Sequence, residues 1–132
     1  MAQIFTGTFV RSIDAKHRVL VPSELRDVMD AGDRKGLYFI PGSECLFLWP
    51  QSYLLRYASG QGTDPFGNLP FNRAFYSRAL FKTFDGTGRI VLPTEQVSRF
   101  PKGELLIAGA GLYMEAWHPE SWTSRVGTLE LG

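Results

Sequence analysis

The sequence predicts an α+β fold made of two copies of one unit, related by a pseudo-twofold within a single domain. Three observations predict it. A charged turn motif occurs twice, with short apolar runs and further matches around each copy. Strand-like and helix-like segments are all short and mixed, without long alternating strand–helix units. The chain has 132 residues, a length that suits one domain or two closely packed halves.

The repeat comes first because it organises everything else. Asp14-Ala-Lys16-His17-Arg18-Val-Leu-Val-Pro22-Ser-Glu24 returns as Asp85-Gly-Thr-Gly88-Arg89-Ile-Val-Leu-Pro93-Thr-Glu95, with Asp, Arg, Pro and Glu all displaced by 71 residues. Phe9 and Ile13 match Leu80 and Phe84 at the same displacement. Downstream, the segment from Gly36 to Ile40 resembles Gly103 to Ile107, and Cys45 to Tyr53 resembles Leu112 to Trp122, with the displacement drifting by a few residues. Repeat 1 is expected over about 4–58, a linker over about 59–71, and repeat 2 over about 72–126. Two copies are too few for a solenoid, which needs about three or more.

The elements follow in order. Residues 4–10 and 17–21 read as the two strands of a hairpin around the Asp14 turn. Pro22-Ser23 opens a short helix to about Asp30, with Ser23 as N-cap and Gly32 as the stop. Leu37–Ile40 and Cys45–Trp49 are strands joined by Pro41-Gly42-Ser43-Glu44, which is turn chemistry. Pro50 suits the first turn of a helix reaching about Ala58. The Gly, Ser, Pro and Asn content of Ser59–Asn68 marks the seam between halves. A helix is expected over Asn72–Ala79, a second hairpin from Phe81–Phe84 and Arg89–Leu92, and a short helix over Thr94–Arg99. Strands Leu105–Ala108 and Leu112–Trp117 and a helix over Pro119–Val126 complete the chain.

Composition narrows the function. Apolar residues make up 44%, normal for a globular core, and no apolar run reaches the roughly 18 residues of a membrane helix. No secretory signal is visible, and the single cysteine, Cys45, cannot pair within the chain, so a cytoplasmic protein is expected. Cys45 lies in an apolar run and reads as a small buried hydrophobe. His17 and His118 are the only histidines, and Gly109-Ala-Gly111 lacks the spacing of a dinucleotide loop. No metal-ligand pair, nucleophile elbow or cofactor motif is present, so an enzyme is not expected, nor a metal or cofactor.

Net charge is only +1, which argues against nucleic-acid binding by an isolated subunit, because affinity grows with the phosphates neutralised. The basic residues are unevenly placed, however. Arg11, Lys16, Arg18 and Arg26 surround the first motif, and Arg73, Arg78, Lys82 and Arg89 lead into the second.

Within each motif the Asp can accept backbone N–H groups of its turn. Gly88 supplies the positive φ that a tight hairpin commonly needs. Arg18 and Arg89 emerge at the start of a returning strand, each a planar fork suited to phosphate oxygens or to guanine O6 and N7. Two readings of the pair stand side by side. The Asp and Arg hold the turn shut, or the Arg serves a surface used twice.

Phe5-x-Gly7, the Asp14 to Arg18 motif and the Leu20-Val-Pro22 ending together resemble the first repeat of MraZ proteins. Asp85-Gly-Thr-Gly-Arg89-Ile-Val-Leu-Pro93 is similar to the second, as is the Trp117-x-Pro119-x-x-Trp122 ending. The resemblance covers roughly residues 5–125. It implies an AbrB-like swapped-hairpin β-barrel with short helices. It also implies a bacterial transcription factor that assembles into a ring-shaped homo-oligomer, binds direct repeats in double-stranded promoter DNA and represses a cell-division and cell-wall gene cluster. A nucleoid-associated protein follows. The family's motif, carried over, assigns DNA binding to Lys16, Arg18 and Arg89, and turn shaping to Asp14, Asp85 and Gly88. His17 stands where the family usually has glycine and is either a plain turn residue or an added DNA contact. Thr87 leaves the second turn without the lysine of the first. One arginine contact discriminates by about 1–3 kcal/mol, so tight binding requires a self-associated form presenting the turn repeatedly. Apolar residues around Phe66, Leu69, Phe71 and Phe75 are candidates for that contact, or else pack on their own core. The alternative is a ring-forming protein-interaction module without DNA binding.

Overall fold

A computed structural model of the chain describes residues 4–60 and 69–127. The elements are β1 (Thr8–Ser12), β2 (Arg18–Leu20), α1 (Ser23–Arg26), a 3-10 turn (Ala31–Asp33), β3 (Gly36–Pro41), β4 (Leu46–Trp49) and α2 (Gln51–Gly60). They continue with α3 (Leu69–Tyr76), β5 (Leu80–Thr83), β6 (Arg89–Val91), a 3-10 turn (Thr94–Arg99), β7 (Glu104–Gly109), β8 (Met114–Trp117) and α4 (Pro119–Arg125). This is the expected α+β mixture of antiparallel strands and short helices. Helix occupies Gly60 and resumes at Leu69, inside the stretch read as a linker. The rest of that stretch, with Phe66, lies outside the described residues.

The strands form a six-stranded sheet, ordered β1-β7-β8-β4-β3-β5, and a separate two-stranded ribbon of β2 and β6. Every pairing is antiparallel. The order is symmetric: exchanging each strand for its counterpart in the other half reverses the sequence of strands.

The two local hairpins expected around Asp14 and Asp85 are corrected by this topology. β1 pairs with β7, from Thr8 opposite Ala108 to Ser12 opposite Glu104. β5 pairs with β3, from Gly36 opposite Thr83 to Phe39 opposite Leu80. Each motif's outgoing strand therefore leaves its returning strand and joins the opposite half. The returning strands, β2 and β6, pair with each other. The physical reason is burial. Each alternating strand can satisfy its pattern against any apolar partner, and exchange lets both halves share one core. The barrel does not close among the described residues; β5 and β6 meet only through a single bridge between Phe84 and Ile90.

The core explains the strand sequences. Leu105 and Ile107 of β7 join the main cluster with Phe39, Leu48, Val19 and Ile90, whereas Leu106 and Ala108 face a second cluster with Cys45 and Trp117. Trp122 and Val126 cover that second face from the α4 end of the chain. β7 is thus buried on both sides, which is why Leu105-Leu-Ile-Ala108 is a continuous apolar run. Cys45 is buried as expected, and burial pushes its thiol up to about 12.

Two local expectations are also corrected, and one open alternative is decided. Pro22, not Ser23, holds the N-cap of α1; its carbonyl accepts Leu25 and Arg26 N–H, and the Ser23 hydroxyl donates to Glu24 instead. α1 stops at Arg26 rather than Asp30, because Asp27 and β-branched Val28 are poor residues to continue a helix end. Phe75 packs edge-on against Trp49, with ring centroids 6.4 Å apart, so it belongs to the core side of α3. A residue with no sequence signal, Asp33, is buried and accepts Ser52 N–H at 3.0 Å, fixing the start of α2.

No helix among the described residues is long and apolar enough to cross a membrane.

Candidate functional site

Each motif builds the same turn by the same chemistry. In the first, Asp14 Oδ1 accepts the N–H groups of Lys16 at 2.9 Å and Arg18 at 2.8 Å. Its Oδ2 accepts from Arg18 Nε at 2.8 Å. The Arg18 N–H above all, with the Arg18 guanidinium and the Lys16 N–H, holds the Asp14 carboxyl below its ordinary range. In the second turn, Asp85 Oδ1 accepts the N–H groups of Thr87 at 2.8 Å and Arg89 at 3.0 Å, and the Thr87 hydroxyl at 2.7 Å. That hydroxyl above all, with the two N–H groups, holds Asp85 at about 2.

The two arginines are held differently. Arg18 is clamped by Asp14 and also approaches Asp85 Oδ2, its Nη1 lying 3.7 Å away. Arg89 donates from Nη1 to the Thr87 hydroxyl at 2.9 Å and has no ion pair among the described residues. Threonine in place of lysine therefore does specific work in the second turn, bridging Asp85 to Arg89.

The third turn position needs a left-handed backbone in both copies. Gly88 has φ of +88° and His17 has φ of 62°. At Gly88 a Cβ would also lie 2.5 Å from the Arg26 guanidinium carbon, so the end of that side chain would have to shift. His17 is exposed, and the counterpart of Arg26 in the other half is Val97. A side chain is thus accommodated at the first turn at a conformational cost only.

The ribbon sets the direction of the arginines. Arg18 stands opposite Val91, Val19 opposite Ile90, and Leu20 opposite Arg89. Alternate residues point to opposite faces and directly paired residues share one. Val19 and Ile90, at 2% and 1% exposure, point into the core. Arg18, Leu20, Arg89 and Val91 therefore share the outer face. Arg18 and Arg89 are diagonal neighbours there, with a separation of about 7–8 Å at their bases. The two copies of the motif thus merge into one surface rather than forming two separate ones.

Of the residues singled out in the sequence, Lys16, His17 and Asp14 form one end of this ribbon, and Asp85 and Gly88 the other. Arg73, Arg78 and Lys82 do not join it; they lie on α3, just beyond it, and on β5. Arg11 sits over the Phe9 ring, 5.7 Å from its centroid. Arg26, counted only as nearby positive charge, packs directly beneath the second turn, with Nε donating to Val21 O at 2.9 Å. No sequence signal revealed that contact, since it depends on the crossing of the two halves. Among the described residues no cluster of His, Cys, Asp or Glu could hold a metal ion.

Comparison with known proteins points in the same direction as the motifs. A family model described as MraZ protein matches residues 4–62. The chain is 32% identical over 133 aligned positions to the transcriptional regulator MraZ of Desulforamulus reducens, spanning 90% of this chain and 84% of that protein. It is 29% identical over 131 positions to the protein of the same name from Thermomicrobium roseum, spanning 96% and 89%. It is 32% identical over 125 positions to that of Symbiobacterium thermophilum, spanning 88% and 85%.

Proposed function

The chain belongs to the MraZ family, whose relatives are named transcriptional regulators, and from that premise we propose that it regulates transcription by binding double-stranded DNA through the β2–β6 ribbon. One observation carries the reading: the register of the ribbon puts Arg18 and Arg89 on a single outward face above a buried Val19–Ile90 floor. A two-stranded ribbon fits a major groove about 12 Å wide. Arginines about 7–8 Å apart span roughly two base-pair steps of about 3.4 Å each. Arg18, with one edge clamped by Asp14, reads or grips from a fixed orientation, while Arg89 is steadied only by Thr87. Lys16 and His17, both exposed at the first turn, lie within reach of phosphate. Asp14, Asp85 and Gly88 shape the turns.

The finer reading follows the family resemblance. The protein is a repressor of a cell-division and cell-wall gene cluster, nucleoid-associated, acting as a ring-shaped homo-oligomer on direct promoter repeats. The exchange of β1 and β5 between halves supports an AbrB-like swapped-hairpin organisation of a single domain built from two repeats. Two features support self-association. A net charge of +1 is too small for one subunit to hold DNA tightly. Both edge strands of the large sheet carry exposed apolar side chains, Val10 on β1 and Leu80 and Phe81 on β5.

The test is a fluorescence titration of DNA from upstream of the protein's own gene, with light scattering on the same sample. We expect binding by an oligomer, with affinity falling steeply as salt rises. An oligomer without salt-dependent affinity for that DNA would favour the protein-interaction module instead. Tight binding by a monomer would overturn the requirement for assembly.

A further inference from the structure

The second turn lacks the lysine of the first, yet positive charge reaches it from elsewhere. A cleft of about 150 Å³ opens between α1 and this turn. Its walls include Arg26, Arg34, Asp27, Asp85, Gly86 and Gly88. A water molecule claims about 30 Å³ in the liquid, so the cleft has room for a phosphate-sized group.

Both arginines are tethered in the same way. Arg26 donates through Nε to Val21 O at 2.9 Å, and Arg34 through Nε to Met29 O at 3.1 Å. The tethers fix the side chains while leaving the Nη groups to a ligand. A guanidinium fork matches phosphate oxygens, and ordering it beforehand lowers the entropy lost on binding. The Arg26 guanidinium occupies the space a Cβ at position 88 would fill, so glycine there is what lets the arginine approach the turn. A Cβ at Gly86 would meet no atom within 4 Å, so the turn backbone is open on that side.

Two carboxylates share the cleft. Asp85 is engaged by its own turn and faces Arg18 Nη1 at 3.7 Å. Asp27 is exposed, has no ion pair among the described residues and opposes an anion.

We infer that Arg26 and Arg34 form a phosphate-binding notch that seats a backbone phosphate of the duplex whose groove receives Arg89. The inference rests on the DNA-binding reading for the source of the phosphate. The notch is specific to the second turn, because the position matching Arg26 in the other half is Val97. Lys16 at one end of the ribbon and the Arg26–Arg34 pair at the other then grip phosphates on either side of the base-facing arginines. Contacts of this kind fix register without reading sequence.

The experiment measures affinity across a salt series for the upstream duplex and for a scrambled duplex of equal length. Wild type is compared with Arg34→Ala, Arg26→Lys and Asp27→Asn. Arg34 is exposed, so its truncation removes the bond to Met29 O but no core packing, whereas Arg26 supports the second turn and is changed conservatively. Arg34→Ala is expected to weaken both duplexes by the same factor, on the order of tenfold, and to lower the salt slope by about 1. Asp27→Asn is expected to tighten both, and Arg26→Lys to weaken both. An unchanged slope in Arg34→Ala, with wild-type binding intact, overturns the notch. A second arm titrates inorganic phosphate and follows the amide signals of Gly86 and Gly88 by NMR. If wild type binds no DNA but phosphate moves these signals, the notch stands as a site for free phosphate and the DNA reading falls. If neither DNA nor phosphate binds, both fall.

Discussion

Arg18 Nη1 lies 3.7 Å from Asp85 Oδ2, so the arginine of one turn reaches the carboxylate of the other. The two motifs are 71 residues apart in the chain and share one ribbon in space. Asp85 thereby serves its own turn through Oδ1 and the neighbouring arginine through Oδ2.

That double engagement predicts an acid titration. Asp85 is held at about 2, against about 3.9 for an aspartate in an unfolded chain. A folded-state value below the unfolded one stabilises fully above about 3.9, and this contribution fades as pH falls through about 2. The carboxyl carbon of Asp85, followed by NMR, should titrate near that lower value, and the Arg18 Nη signals should move with it, because Nη1 is the Arg18 atom facing Asp85 Oδ2. A midpoint at the ordinary aspartate value would contradict the turn geometry.

Gly88→Ala combines a left-handed backbone with a close contact. The φ of +88° costs a non-glycine residue about 1–2 kcal/mol. The contact with Arg26 adds to it, but only while Arg26 is present. Chemical denaturation of Gly88→Ala, Arg26→Ala and the double variant should show coupling of at least about 0.5 kcal/mol, the double being more stable than additivity gives. Strict additivity would mean that the guanidinium does not pack on the turn.

His17→Gly isolates the backbone cost at the other turn. The left-handed φ of 62° is relieved, while glycine adds roughly 0.5–1 kcal/mol of chain entropy to the unfolded state. The net change in stability should fall between none and a gain of about 1.5 kcal/mol. A clear loss would show that the imidazole makes a contact worth more than the strain.

Cys45 should resist thiol reagents at pH 8 in the folded protein. It is 3% exposed and its thiol is pushed up to about 12, first by burial and then by Glu115. Reaction with a chromogenic disulfide should wait for denaturant. Rapid modification without denaturant would show that the face beneath Trp117 opens readily.

Much of this was legible in the chain, and the boundary between legible and illegible is physical. The turns were readable because their chemistry is local: Asp14 and Asp85 accept N–H groups two and four residues ahead. The β3–β4 hairpin was readable from Pro41 to Glu44 for the same reason. Strand partners were not. Val10 opposite Leu106 and Leu37 opposite Lys82 satisfy the same alternation that a local hairpin would, so pattern alone cannot choose between them. The candidate site shows the same division. Arg18 and Arg89 stood out by repetition, whereas their common face needed the β2–β6 register. Arg26 and Arg34 had no distinguishing spacing, because the turn they flank belongs to the other half.

The most direct measurement is the affinity of Arg18→Ala and Arg89→Ala, singly and together, for the upstream duplex, with circular dichroism as the check on folding. Each single change should cost about 1–3 kcal/mol and erode discrimination against the scrambled duplex, and the double should reduce binding to the non-specific level. Folded variants that bind the upstream duplex as tightly as wild type would contradict a DNA-reading role for the outward face of the ribbon.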